Sequence, residues 1–274
     1  MNVGMSMSWT AARWACISWS SPGLRAGSRL VRNLLLACAV LPFGPALAEP
    51  LDFSTVESVG NWLTRYYQSP QPKLVSKAIL VLSKEGVFKR EEVTPPTFGF
   101  LAGVFAKNKA ITPSLIKDLT ALPEDEQKIL ILGIWYSGRP DTKKLLEGLL
   151  VTMPQHKANI ESLLQGQQVL LTQISLEQGP WIIDALWANF MATGDSEPVK
   201  RVITALPWVN EPPDSPKFLV GRSARWSLTS YAAQHPRVLA ICRQQAKVQP
   251  PEVATLLKEA IASAEKQRIK PAAP

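Results

Sequence analysis

A chain of 274 residues with 30 basic and 22 acidic side chains carries a formal net charge of +8. That length is ample for a hydrophobic core, so the three cysteines are not needed to staple the fold. The positive excess is mild and spread along the chain, which argues against nucleic acid as a partner.

The first element in chain order is a leader. Residues 1–48 hold four arginines and no acidic residue, and end in "SRLVRNLLLACAVLPFGPALA". Arg29 and Arg32 precede an apolar run from Leu34 to Phe43, and Pro45 leads into Ala46-Leu47-Ala48. A basic start, a short apolar stretch and an A-x-A site predict a secretory signal peptide cut after Ala48. The apolar run is too short to cross a hydrocarbon core of ~30 Å, so no membrane span is expected once the leader is removed. Lipidation at Cys38 is the competing reading, although almost no apolar run precedes that cysteine. The stretch before Ser28 is rich in Trp, Ser and Met, which fits a translation start further in, near Leu30 or Val31. The expected location is periplasmic or secreted. Beyond the leader, 26 basic residues face 22 acidic ones and Cys242 is the one remaining thiol. It forms no internal disulfide, and its neighbours in "PRVLAICRQQ" predict a buried, inert side chain.

From residue 49 to 268 the apolar residues recur at spacings of three and four, and a single α-helical domain is expected. Val75, Ala78, Ile79 and Leu82 share one helix face, as do Leu115, Ile116, Leu119 and Leu122. The same spacing joins Leu145, Leu146, Leu149, Leu150 and Met153, then Val199, Val202, Ile203 and Leu206. Near the end it joins Val253, Leu256, Leu257, Ala260, Ile261 and Ala264. Pro72, Pro113, Pro140, Pro198 and Pro251 fall just before or within first turns, where a missing N–H costs nothing. Thr112 and Ser196 are expected N-caps, and Glu124, Asp125 and Glu126 face the positive end of a helix dipole. Residues 155–180 read as an extra helix or two broken at Gly166, 206–217 as a proline-rich loop, and 269–274 as a disordered tail.

The helices repeat in pairs. "GFLAGVFAKNKAITPSLIKDLTALP", "LILGIWYSGRPDTKKLLEGLLVTMP" and "LWANFMATGDSEPVKRVITALP" each carry an apolar-aromatic helix, then a turn at Asn108, Gly138 or Gly194. An aliphatic helix follows and closes on Pro123, Pro154 or Pro207. Weaker copies begin at Asn61, turning at Ser69-Pro70, and at Ala224, turning at His235-Pro236. The expected architecture is all-α: stacked helical hairpins forming a short irregular α-solenoid. Phe190, Val202 and Leu206 should then be buried against neighbouring hairpins.

The third hairpin resembles a tetratricopeptide or Sel1-like repeat. Phe190 stands late in its first helix, Gly194-Asp195 forms the turn, and Ala205 precedes Pro207. Ala188 is the nearest equivalent of the family's small residue in mid-helix, whereas Lys200 and Arg201 stand where a second small residue belongs. The varying period is similar to HEAT-like pairs as well. Such a resemblance implies a scaffold that binds another protein or peptide.

Catalytic signatures are absent: the chain has no G-x-S-x-G, H-E-x-x-H, P-loop or G-x-G-x-x-G. His156 and His235 are far apart in sequence, so no metal site, cofactor or catalytic residue is assigned, and His235 reads as a solvated turn residue. Gly99 and Gly103 in G-x-x-x-G spacing predict close helix approach. Arg222, Arg225 and Trp226 are the candidate partner-binding residues, since i, i+3 spacing aligns both arginines for an acidic partner. The competing view is an inter-helix salt bridge with Trp226 in the core. Asp184, near a helix start, is expected to serve the helix dipole. Gly138, Gly194 and Asp195 are structural turn residues. The reading is a secreted, non-enzymatic scaffold for an envelope protein or peptide. The alternative is a wall-acting glycosidase with a carboxylate acid, for which Glu57 and Glu161 would have to line a cleft.

Overall fold

The three-and-four spacing is realised as helix throughout. A computed structural model describes residues 53–269; the predicted leader, Cys38 and the tail beyond 269 lie outside them. Twelve α-helices and no strand occur among the described residues. In chain order they are α1 (Val56–Arg65), α2 (Val75–Lys84), α3 (Thr94–Lys107) and α4 (Thr112–Leu119). Then come α5 (Lys128–Trp135), α6 (Thr142–Thr152), α7 (Lys157–Gln165) and α8 (Trp181–Thr193). The last four are α9 (Ser196–Ile203), α10 (Pro216–Gln234), α11 (Pro236–Gln245) and α12 (Pro251–Ile269). No helix among the described residues is long and apolar enough to cross a membrane.

Helix ends follow the local chemistry, with small shifts from expectation. Thr112 and Ser196 stand one place inside their helices, after Ile111 and Asp195. The Thr112 hydroxyl instead donates to the Asn108 carbonyl at 2.8 Å. Gly138 and Gly194 adopt φ of +67° and +68°, the left-handed conformation that ends a helix and turns the chain back. Residues 155–180 contribute α7, which stops at Gly166, and then short 3₁₀ turns. The expected loop after 205 differs: Leu206–Asn210 is a 3₁₀ turn packed on α10. Gly221 lets it approach, since a Cβ there would lie 2.5 Å from the Trp208 carbonyl carbon.

α3 and α8 form the centre. Every residue from Pro96 to Phe105 is buried, as a helix apolar all round must be. Gly99 and Gly103 face α8, where a Cβ on Gly103 would come within 2.7 Å of the Ala192 Cβ. The backbones therefore approach as G-x-x-x-G spacing allows. α5 packs on α3, α9 packs on α8, and α8 also meets α1, more than a hundred residues earlier. One apolar cluster draws mainly on residues 53–164 and another on residues 171–264. They join where Phe98 of α3 enters the second and Ala192 of α8 the first. Phe190, Val202 and Leu206 are fully buried, and so are Val75, Ala78, Ile79 and Leu82. Full burial of a side chain as large as Phe190 contributes about 3 kcal/mol.

Candidate functional site

The Gly194–Asp195 turn is a junction rather than a binding site. Its carbonyl at Gly194 accepts from Arg237 Nε at 2.5 Å, and Asp195 pairs with Lys107 of α3 at 2.9 Å. Tyr67 lies so close that a Cβ on Gly194 would sit 3.2 Å from its ring. The Gly138 turn places Arg139 in a second junction, unanticipated from sequence. This guanidinium is 7% exposed. It donates to Asp141 at 2.8 and 2.6 Å, and at 3.1 Å to both the Phe105 carbonyl and Thr112 Oγ1. Its hydrogen bonds hold Asp141 below the ordinary carboxylate range. One side chain thus closes the end of α3 and fastens α4 and α6 to it.

Arg222, Arg225 and Trp226 all lie on the exposed side of α10. Arg225 pairs with Glu259 of α12 at 3.1 Å, the inter-helix bridge weighed from sequence. Trp226 is not core, however, being 41% exposed. The Arg222 guanidinium lies 5.5 Å from the Phe218 ring centre. Helical geometry turns Tyr231 well round α10 from Arg222 and Trp226, toward the interior.

That interior side lines a cleft of about 50 Å³ between α1, α3, α8 and α10. Its walls include Leu63, Phe100, Trp187, Met191 and Tyr231, and its polar groups include Asp184 and Glu92. The rings of Trp187 and Tyr231 stack at a slant, 4.6 Å between centres. Trp187 Nε1 is buried with no hydrogen-bond partner among the described residues. The Asp184 carboxyl likewise has no hydrogen bond or ion pair among them. Burial pushes it from 3.8 up to about 7. It does stand in the first turn of α8, where the helix dipole favours a carboxylate. Desolvation outweighs the dipole here, because no backbone N–H reaches the carboxyl to satisfy it.

His235 is the other departure. It is 3% exposed rather than solvated, with Nδ1 at 3.2 Å from the Tyr67 hydroxyl and its ring beside those of Tyr67 and Tyr231. Burial, reinforced by the charge of Arg65, lowers it to about 4. Cys242 is buried as expected, its thiol pushed up to about 12 by burial. No group of His, Cys, Asp and Glu suited to a metal ion occurs among the described residues. Glu57 is exposed and Glu161 lies near Lys157 at 3.8 Å, and neither lines the cleft.

In "PWIIDALW" Asp184 is a lone carboxylate among apolar neighbours, the one signal the sequence offered. The chain matches no protein-family model, no curated protein and no solved structure.

Proposed function

We propose that this chain is a secreted or periplasmic, non-enzymatic helical-repeat protein that holds another envelope protein or peptide. In this reading its hairpins form a short irregular α-solenoid of the tetratricopeptide, Sel1-like or HEAT-like kind. The repeated turns at Asn108, Gly138 and Gly194 support it. The observation that carries the binding role is the Asp184 cleft: apolar and aromatic walls, with an unpaired carboxyl and an indole N–H that lacks an acceptor. A buried indole N–H is normally satisfied within the fold, so Trp187 Nε1 beside the unpaired Asp184 carboxyl is suited to a ligand. Arg222, Arg225 and Trp226 offer a second, separate face for an acidic partner.

The test is affinity capture from bacterial envelope extract with three baits: wild type, Thr64→Trp, which fills the cleft, and a triple alanine variant at Arg222, Arg225 and Trp226. A partner retained by wild type and lost with Thr64→Trp supports the cleft. Loss only with the triple variant moves the site to α10. Asp184 also gives the enzymatic alternative a specific footing, since an acid titrating near 7 in an apolar cleft matches the needs of a general acid. Hydrolysis of wall glycan by wild type and not by Asp184→Asn would establish that reading instead.

A further inference from the structure

We propose that the cleft between α1, α3, α8 and α10 receives the ammonium group of a lysine side chain on the partner, with Asp184 as its counter-charge. This rests on the cleft-binding reading above and narrows it to one chemistry. The Asp184 carboxyl has no cation and no donor of its own among the described residues, and none of the residues lining the cleft is basic. Phe100, Trp187 and Met191 provide walls for a methylene stem, which long basic side chains bury while the charge sits at the tip. An ammonium is a compact point charge on an unbranched four-carbon stem, whereas a guanidinium is a flat fork.

Binding a cation requires Asp184 ionised, so affinity must follow its titration. Tyr231, Tyr66 and His235, three titratable groups around it, are shifted away from that range. Tyr231 of α10 is held above its ordinary value by burial, and Tyr66 at the end of α1 is pushed up to about 12. His235 behind Tyr231 stays neutral above about 4. Arg65 at the end of α1 and Glu92 just before α3 are the other ionisable groups nearby. The α3 lining residues themselves are not titratable.

The experiment follows the Trp187 indole N–H by NMR in the intact protein during titration with N-acetyl-lysine-N-methylamide, its norleucine analogue and n-butylamine. The lysine probe should shift this signal saturably at pH 8 and bind about 30-fold more weakly at pH 5.5, where Asp184 is mostly protonated. Norleucine should bind at least tenfold more weakly than lysine. Asp184→Asn should remove the preference while keeping the helical circular dichroism of wild type. Equal binding of lysine and norleucine, or affinity that rises at low pH, overturns the lysine inference and leaves an apolar cleft that binds partners. Butylamine binding more tightly than the lysine probe reassigns the site to free amines and also overturns it. If no probe perturbs Trp187 and Thr64→Trp leaves partner capture intact, the cleft-binding reading itself fails.

Discussion

Asp184 and His235 both act near Tyr231 and titrate against the fold in opposite directions. Asp184 rises from 3.8 to about 7 in the native state, so between those values the folded chain keeps a proton that the unfolded chain has released. Its contribution therefore falls as pH rises from 4 to 7, by at most about 4 kcal/mol at 1.4 kcal/mol per pH unit. His235 falls from 6.5 to about 4, so within that window the unfolded chain holds the extra proton. Its contribution is lost as pH drops from 6.5 to 4, by at most about 3 kcal/mol. The two nearly cancel, and wild type should show a flat urea-midpoint profile between pH 4 and 6.5. Asp184→Asn should unmask a profile that climbs with pH and gain stability at pH 8, whereas His235→Gln should produce one that declines. Identical profile shapes for all three proteins would contradict both assignments. Arg139 is the other residue with a clear expectation. Arg139→Ala leaves the Phe105 carbonyl and Thr112 with one partner fewer, and should cost about 3 kcal/mol in denaturant unfolding. Arg139→Lys should recover little of that, since one ammonium cannot replace the fork that grips Asp141.

Among the elements, the α3–α8 pair sets the tolerance of the fold. A Cβ on Gly99 would lie 2.8 Å from both the Cα and the carbonyl carbon of Ala185, which are backbone atoms and cannot rotate away. Gly99→Ala should destabilise by about 2 kcal/mol or more through forced helix separation. Gly148→Ala, in α6 where no atom lies within 4 Å of the added methyl, should instead stabilise by about 1 kcal/mol. The pair of measurements separates crowding from helix propensity. If both substitutions act alike, the close crossing of α3 and α8 is wrong.

At the scale of the whole molecule, the helices differ in how many neighbours hold them. α3 and α8 sit between both apolar clusters, whereas α7 packs chiefly on α6 and the turn before it. Native-state hydrogen exchange should place the amides of α3 and α8 in the slowest class, opening with global unfolding, and those of α7 among the fastest. Slow exchange in α7 together with early opening of α8 would contradict this order.

The sequence by itself determined helix class, the buried faces and the punctuation. Val75 to Leu82 and Val199 to Leu206 show their core face by spacing alone, and the left-handed glycines at 138 and 194 are visible as turns. These are local properties, fixed by a period of 3.6 residues and by which residues tolerate positive φ. The environment of individual polar groups was decided only by tertiary structure. His235 looked solvated because a His-Pro turn usually is, yet Tyr67, from a hairpin more than 160 residues earlier, covers it. Asp184 looked like a dipole partner until α1, α3 and α10 closed round it, and Trp226 looked like core until α10 was seen to turn it outward. Desolvation is a sum over everything that surrounds a group, and for these residues the surroundings come from helices far away in the chain.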